Sequence, residues 1–206
     1  MEQTLLNTPT PTIPSSTASA TYSVSRLSGT LVDVWPYDEQ TYRQYPEIFP
    51  EMWRGMQEDN TLHKAFYEGG VTTLPNLVRY FDPVIFPNRL LLLYTAKAGA
   101  AAGFGWFDNV IQGVRAFANI CTRKKYWGPH TFEACQISID YIFGAHNVKA
   151  VFGFTPDRLA HGLMKRLGAS HVATIPGLAS FNGTPATVYV TRLAKENWNG
   201  RREGRR

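Results

Sequence analysis

Hydrophobic and polar residues alternate near the middle of the chain in the way that is typical of a β-strand with two different faces. One set of every second residue is small or aliphatic, and the other set is larger or more polar: Val114, Ala116, Ala118 and Ile120 against Arg115, Phe117, Asn119 and Cys121. A period of two over eight residues predicts a strand. Either face of this strand is available for chemistry.

The residues after this strand predict a helix, a second strand and a second helix. Apolar residues recur at helical spacing as far as Gly144, namely Phe132, Cys135, Ile139 and Ile142. Residues 148–154 form an apolar run with the length of a buried strand. We predict that Thr155 caps the second helix, that Pro156 takes its first position, and that Gly168 ends it.

The flanking segments extend this unit into a larger sheet. The earlier part predicts a strand at 31–35, helical segments at 50–58, 61–68 and 74–81, and strands at 89–95 and 102–107. The later part predicts strands at 170–174 and 186–192, separated by a loop that contains Pro176-Gly177 and Asn182-Gly183. This order predicts an α/β fold in which a central mixed sheet has helices on both faces.

Composition favours one folded domain between two flexible ends. The chain has 206 residues, of which 44% are hydrophobic and 18% are charged, enough for one buried core. Residues 8–25 are rich in Thr, Ser, Pro and Ala without an apolar period. We therefore expect a disordered or loosely docked arm at 1–28, a domain at 29–196 and a basic flexible tail at 197–206. The arm is a candidate for binding a protein partner.

The position of the positive charge argues against nucleic-acid binding. The formal net charge is +5, and the tail carries +3 of it through four arginines offset by Glu203: Arg201, Arg202, Arg205 and Arg206. The remaining +2 is ordinary for a domain of this size. A solvated tail is therefore the favoured interpretation, and an arm that binds nucleic acid is the weaker alternative.

Several other classes are disfavoured by what the sequence lacks. It has no apolar run of about 18 residues and no basic-then-apolar leader at its start, so we expect a soluble protein of the cytoplasm. Two cysteines do not make a disulfide framework, and the five histidines have no paired spacing for a metal site. We expect no metal centre.

Two phrases of this sequence resemble motifs of the GCN5-related N-acetyltransferase (GNAT) superfamily, especially the branch that acetylates N-terminal alanines of ribosomal proteins. Tyr126-Trp127-Gly128 followed by Glu133-Ala134 is similar to the phrase at the start of the family's main cofactor helix. The segment from Thr155 to Ala169, with Leu167-Gly168, is similar to the family's last helix motif. The resemblance covers about residues 31–193 and implies acetyl-coenzyme A as cosubstrate.

The resemblance also implies where acetyl-coenzyme A binds. Phe117, Ala118, Asn119 and Ile120 would line its pantetheine arm, in a wedge between two splayed strands. Its phosphates would meet Arg123 and the turn that carries Trp127, Gly128, His130 and Thr131. Asp157 stands where the family commonly has an asparagine that contacts the cofactor or water. Independently of the resemblance, a helix N-terminus with free N–H groups favours a pyrophosphate.

Departures from the motifs leave the acid and base open. His130 stands where the first glycine of the phosphate turn is expected, Pro129 brings no N–H group, and Met164 occupies the position of the family's acidic tyrosine. The remaining candidates are Asp108 and Asp33 as bases acting through water, and Tyr126 or His161 as acids.

We therefore expect an N-acetyltransferase that moves an acetyl group from acetyl-coenzyme A to a primary amine of a protein or a small molecule. The alternative is a catalytically inactive binding or structural protein that keeps the fold. A weaker alternative is a nucleic-acid-modifying acyltransferase that uses the arginine tail. A compact chain with an altered cofactor turn also resembles superfamily members encoded by bacteriophages, which would place it in the host cytoplasm or the virion. A homodimer is left open.

Overall fold

A single mixed sheet forms the centre of the molecule. The computed structural model describes residues 26–38, 41, 46–67, 69–82, 84–181 and 183–203. In these residues eight strands lie in the order β1-β2-β3-β4-β5-β6-β8-β7. Their bounds are β1 Leu27–Ser28, β2 Val32–Pro36, β3 Leu90–Ala96, β4 Ala101–Ile111, β5 Arg115–Thr122, β6 Ala150–Thr155, β7 Ser170–Phe181 and β8 Thr184–Ala194. The predicted central mixed sheet is confirmed.

The pair formed by β5 and β6 differs from every other neighbouring pair in this sheet. It is parallel, whereas the others are antiparallel. It is also short, since pairing runs only from Arg115 opposite Ala150 to Ala118 opposite Gly153. Beyond Gly153, β6 continues beside β8 and β5 continues beside β4. The two central strands therefore separate, and the edge of each that faces the other is left without a strand partner.

Helices cover both faces of the sheet, as the sequence predicts. Alternate residues of β3 divide between two cores, with Leu92 and Tyr94 in one and Leu91 and Leu93 in the other. The helices α1 Ile48–Glu58, α2 Leu62–Ala65 and α3 Leu74–Tyr80 pack on the second core. The helices α4 Pro129–Ala145, α5 Arg158–Leu167 and α6 Lys195–Glu203 contribute to the first.

Helix α4 is the long crossover between the two parallel strands. The predicted apolar stripe is its inner face, with Cys135, Ile139 and Ile142 buried. The carboxylate of Glu133, near its start, accepts hydrogen bonds from three consecutive backbone N–H groups that lead from the β1–β2 turn into β2: Thr30 at 2.8 Å, Leu31 at 2.6 Å and Val32 at 2.9 Å. Gly29 permits this approach, because a Cβ atom there would lie 2.6 Å from Glu133 Oε2. The start of α4 is thus anchored to the β1–β2 end of the sheet.

Three local features differ from the sequence predictions. The N-cap of α5 is Asp157 and not Thr155, because Pro156 precedes the helix and the aspartate side chain supplies the cap. The Pro176-Gly177 pair lies within β7, where the pairing with β8 shifts between Ile175 and Ala179, so it is a strand irregularity and not part of a loop.

The third difference concerns the chain ends. Helix α6 runs through residues 195–203, where the sequence predicted a tail from 197 onward, and the buried Trp198 fixes it by donating from Nε1 to Asp140 Oδ1 at 2.7 Å. The predicted arm lies outside the described residues up to 25, whereas Leu27 and Ser28 already form β1. Among the described residues, no helix is both long and apolar enough to cross a membrane.

Candidate active site

A cavity of about 650 Å³ opens where β5 and β6 separate. We call it the cleft. Residues of both strands line it beyond the end of their pairing: Asn119, Ile120, Cys121 and Thr122 from β5, and Phe154 and Thr155 from β6. The cleft is therefore a direct product of the short parallel pairing.

The cleft has a different lining on each face of the sheet. On the side of α4 and α5 the walls are mainly apolar, with Tyr94, Ile139, Leu163, Met164 and Leu167. On the side of α2 they carry polar and aromatic groups, namely Thr61, Lys64, Tyr67, Trp106 and Asn119. The gap between the strands therefore joins an apolar compartment to a more polar one.

The N-terminus of α4 opens on the cleft without a side-chain cap. Its N-cap, Gly128, has φ 84° and ψ −120° and makes no side-chain cap bond. A Cβ atom at Gly128 would have no heavy atom within 4 Å beyond its chain neighbours, so the space before the helix is open. The first N–H groups of a helix have no acceptor within the helix. In α4 they form the positive end of the dipole of a 17-residue helix. This end of the cleft suits an anion.

The N-terminus of α5 faces the same cleft but is closed by its own residue. Asp157 Oδ1 accepts from the N–H of Leu159 at 2.6 Å and of Ala160 at 3.3 Å. Lys64 lies between the two helix starts, with Nζ 3.9 Å from Asp157 Oδ2 and 5.7 Å from the centre of the Trp127 ring. Asp157, a predicted cofactor contact, lines the cleft, but its carboxylate is engaged as a helix cap.

Seven of the ten predicted cofactor residues line the cleft: Ala118, Asn119, Ile120, Trp127, Gly128, Thr131 and Asp157. Thr131 does so with an occupied hydroxyl, which donates to Tyr126 O at 2.9 Å and lies 2.9 Å from Thr122 Oγ1. Trp127 is 40% exposed, and its Nε1 donates to Thr122 O at 3.0 Å, which fixes the ring beside the opening.

The other three predicted cofactor residues, Phe117, Arg123 and His130, are not among the residues that line the cleft. The Phe117 ring packs against Phe154 with 5.3 Å between ring centres, and the His130 ring lies 5.5 Å from that of Tyr126.

Arg123 is engaged at the C-terminal end of α1. Its Nε lies 3.2 Å from Asp59 Oδ2, and its Nη2 lies 2.8 Å from Glu58 Oε2. The same Asp59 oxygen accepts from the N–H of Lys124 at 2.8 Å. Because two carboxylates already neutralise this guanidinium, the structure assigns it to joining β5 to α1, in contrast to the predicted contact with phosphate.

The two predicted bases are held by donors. Asp108 accepts from Arg89 Nε, from Trp106 Nε1 at 3.0 Å and from Asn119 Nδ2 at 3.0 Å, and it lies behind the cleft wall. Asp33 lies on β2, outside the cleft lining, and accepts a hydrogen bond from Lys97 Nζ at 2.6 Å. Burial alone would raise the pKa of Asp33, but hydrogen bonds from Lys97 and Ser28 outweigh it and hold this pKa below its ordinary value, so Asp33 is a poor proton acceptor. Neither residue has the surroundings expected of the base.

The two predicted acids, Tyr126 and His161, also lie off the cleft lining. Tyr126 packs against His130, with Lys125 Nζ 5.0 Å from its ring centre. The His161 ring stacks on Tyr189 at 4.9 Å between centres, and its Nε2 is buried without a partner in the described part of the chain. Burial lowers the pKa of His161, and the nearby His171 and Lys165 lower it further.

Sequence reasoning did not single out Lys64 of α2 or Tyr94 of β3. Lys64 carries no motif, so no signal in one sequence marks it. Tyr94 looks like an ordinary core residue, yet it lines the cleft, and its hydroxyl lies 3.0 Å from Ser138 Oγ. Ser138 donates to Ala134 O, so the tyrosine hydroxyl donates to Ser138. Burial raises the pKa of Tyr94, which disfavours it as an acid.

Both cysteines line the cleft as free thiols. Burial raises the pKa of Cys121 and of Cys135 to about 12, so both stay protonated at neutral pH and are poor nucleophiles. Among the residues that the structure describes, no group of three potential metal ligands occurs.

The arrangement of the sheet defines a class of fold. A mixed sheet in which two parallel central strands are joined by a helix and splay into a cleft is the GNAT acyltransferase fold. No protein-family model matches the sequence, and no curated protein matches it.

Solved structures of acetyltransferases share this fold. A probable GNAT-family acetyltransferase from Chromobacterium violaceum aligns with a TM-score of 0.70 at 13% identity, over 96% of this chain and 100% of that one. The ribosomal-protein-S5-alanine acetyltransferase of Vibrio fischeri aligns with 0.66 at 13% identity, over 84% and 98%. RimJ of Mycobacterium smegmatis, solved in complex with a coenzyme A disulfide, aligns with 0.66 at 11% identity, over 84% and 86%.

Proposed function

We propose that the protein is an acetyltransferase that moves the acetyl group of acetyl-coenzyme A to a primary amine. One observation carries the proposal: the splayed β5 and β6 form a cleft that ends at the uncapped N-terminus of α4. A long, mostly apolar arm that ends in a pyrophosphate matches a cleft with apolar walls and an anion site at one end. That the RimJ neighbour was solved with a coenzyme A derivative supports the same ligand class.

The binding site follows from the groups that line the cleft. The pyrophosphate would lie at Gly128, where backbone N–H groups and the α4 dipole attract it and where no side chain intrudes. The pantetheine arm would run along residues 119–122, whose backbone groups on the edge facing β6 have no strand partner. Lys64 adds a positive charge at the opening.

The chemistry is acyl transfer to nitrogen. The amine lone pair attacks the thioester carbonyl carbon, a C–N bond forms, the C–S bond breaks, and coenzyme A leaves as the thiolate. Backbone N–H groups of β5 would stabilise the oxyanion. Because Met164 lines the cleft in the position of the family's acidic tyrosine, the thiolate would take its proton from water.

The acceptor would enter from the α2 side, since the apolar compartment beneath α4 and α5 suits the pantetheine arm. Thr61, Tyr67 and Trp106 line this entrance. A protein N-terminus is one acceptor to examine first, because the name of the Vibrio fischeri neighbour refers to an alanine of a ribosomal protein.

The test is calorimetric titration of the full chain with acetyl-coenzyme A, followed by mass spectrometry of candidate amines after incubation. Binding in the micromolar range together with a mass gain of one acetyl group on an amine is the expected result. Binding without transfer to any amine would favour the alternative, a binding protein that keeps the fold. A native chain that shows no heat, beside a His130→Gly variant that gains binding, would mean that the cofactor has been abandoned.

A further inference from the structure

Asn119 is joined to a rigid polar cluster behind the cleft wall. Its Nδ2 lies 3.0 Å from Asp108 Oδ2, and Trp106 Nε1 lies 3.0 Å from the same oxygen. Arg89 Nε donates to the other oxygen, Oδ1. The carboxylate of Asp108 thus receives donors from β4, from β5 and from the residue before β3.

Arg89 is itself immobilised, which makes the cluster a fixed support. Its guanidinium lies 3.9 Å from the centre of the Tyr80 ring and 4.3 Å from that of Phe86, and its Nη1 donates to Tyr80 O. Its position is therefore set by α3 and the loop that follows, independently of any ligand.

The carboxylate of Asp108 decides which way the Asn119 amide points. An ionised carboxylate only accepts hydrogen bonds, so the amide nitrogen must face it and the amide oxygen must face away. Asn119 lines the cleft, and within the described residues no group donates to its Oδ1. The cleft is therefore offered a fixed hydrogen-bond acceptor on the side where Trp106 and Tyr67 also lie.

We propose that Asn119 Oδ1 accepts a hydrogen bond from the attacking amine, and that Asp108 is a positioning residue that keeps this oxygen turned toward the cleft. The inference rests on the acetyl transfer proposed above and names the group that orients the acceptor. A hydrogen bond from one N–H of the amine to Asn119 aims the nitrogen lone pair at the thioester carbon.

The proton balance follows from the amide. An amide oxygen takes up no proton at neutral pH, so the amine reacts in its neutral form. Its second N–H proton passes to water after the C–N bond forms, and the departing thiolate takes one proton from water. The pH dependence of the reaction then follows the pKa of the acceptor, about 8 for an α-amine and about 10.4 for a lysine, and not that of an enzyme carboxylate.

The test uses two probe peptides, one with an N-terminal alanine and one with a blocked N-terminus and a single lysine. Initial rates are measured from pH 6 to pH 10 for the native chain and for Asp108→Asn, Asn119→Ala and Asp108→Glu. The matched control is Asn88→Ala, an exposed asparagine in the turn before β3. Calorimetry with acetyl-coenzyme A is run on every variant.

For the native chain we expect kcat/KM to rise with pH up to the pKa of the peptide that serves as acceptor. In Asp108→Asn the new amide can either donate to or accept from Asn119, so the orientation is lost and the KM for the peptide rises about tenfold, while acetyl-coenzyme A binding stays within twofold. Asn119→Ala has the same effect with the Asp108 and Arg89 pair intact, Asp108→Glu recovers part of the loss, and Asn88→Ala changes nothing.

Three results would overturn the inference. If the peptide KM is unchanged in both Asp108→Asn and Asn119→Ala, the inference is wrong, although the proposed acetyl transfer is not affected. A loss of acetyl-coenzyme A binding with an unchanged peptide KM would assign Asn119 to the cofactor. A native chain that acetylates neither peptide nor any other amine would remove the proposed function and this inference together.

Discussion

Two helix N-termini face the same cleft, and they differ in capping: one has no side-chain cap and the other is capped by an aspartate. Helix α4 begins at Gly128 with a positive φ and no side-chain cap, whereas α5 begins at Asp157, whose carboxylate satisfies two backbone N–H groups. Both starts carry the positive end of a helix dipole, but only the first leaves it for a ligand. The difference assigns the anion site to α4 and a structural role to the α5 cap.

The largest effect is expected from giving α4 the kind of cap that α5 has. Gly128→Asp would put a carboxylate where the pyrophosphate is proposed to lie, and repulsion between two unit charges at 4 to 5 Å is worth about 3 to 4 kcal/mol at an effective dielectric constant near 20. Because salt and solvent at the open helix start screen part of this repulsion, we expect acetyl-coenzyme A affinity to fall about 100-fold by calorimetry.

The matched control for this change is Gly128→Asn. Asparagine has nearly the same shape as aspartate, carries no charge and is strained to about the same degree by the φ of 84° and ψ of −120° at this position. We expect it to lose less than tenfold in affinity. Equal losses in the two variants would attribute the effect to backbone strain and would contradict an anion site at this helix.

The next effect concerns how the open helix is held. Glu133→Gln weakens the three backbone hydrogen bonds that anchor α4, and we expect the free energy of unfolding to fall by about 1.5 kcal/mol at pH 7 in urea titrations. The exposed Glu196→Gln on α6 is the control and should change it by less than 0.5 kcal/mol, roughly the usual size of a surface effect.

Low pH should remove the contribution of the Glu133 carboxylate to the free energy of unfolding. Burial alone raises the pKa of Glu133, but the N–H groups of Leu31, Thr30 and Val32 outweigh it, so the pKa lies below the ordinary 4.5. A carboxylate whose pKa is lower in the folded state than in the unfolded state stabilises the fold above pH 4.5. This stabilisation is lost as the pH falls through the pKa of the folded state. The gap between native and Glu133→Gln should therefore narrow below pH 4.5; a constant gap down to pH 3 would be the contrary result.

A smaller effect is expected at the closed helix start. Asp157→Ala removes the α5 cap and should lower stability by about 1 kcal/mol, seen as a lower Tm, while Asp157→Asn keeps an oxygen acceptor and should lose less. Acetyl-coenzyme A affinity should stay within twofold in both. A marked loss of affinity would instead support the cofactor contact that the sequence motif suggests for Asp157.

The smallest effect tests the residue between the two starts. Lys64→Met removes a partly exposed positive charge beside Asp157 and Trp127, and we expect acetyl-coenzyme A affinity to fall about threefold at low salt, with a smaller loss at high salt. Lys165→Met, on α5 but outside the cleft lining, should leave affinity unchanged. A similar loss in both would indicate only a general effect of charge.

The fold was largely predictable because its signals are local. The period of two around Ala118, the helical stripe that includes Ile139 and the glycine stop at Gly168 each depend on neighbours in sequence. The predicted cap failed because Thr155 and Asp157 are both good capping residues and only the path of the chain around Pro156 decides between them.

The site was less predictable because its contacts join distant segments. Arg123 reads as a phosphate ligand until Glu58 and Asp59, more than sixty residues earlier, are found beside it. Asn119 reads as one more pantetheine contact until Asp108 fixes its amide. No local pattern reports how a side chain is oriented by a residue on another strand.

The four residue pairs that join β5 to β6 have a consequence for the internal motion of the molecule. They link two parts of the sheet, the five strands β1 to β5 and the three strands β6 to β8. Twisting of one part against the other is therefore concentrated at these four pairs. A ligand that forms hydrogen bonds along the unpaired edge of β5 would restrain this motion. At 100 times its Kd it would add about 2.7 kcal/mol to the stability of the whole domain, and the amide protons of residues 119–122 would record this as slower hydrogen exchange.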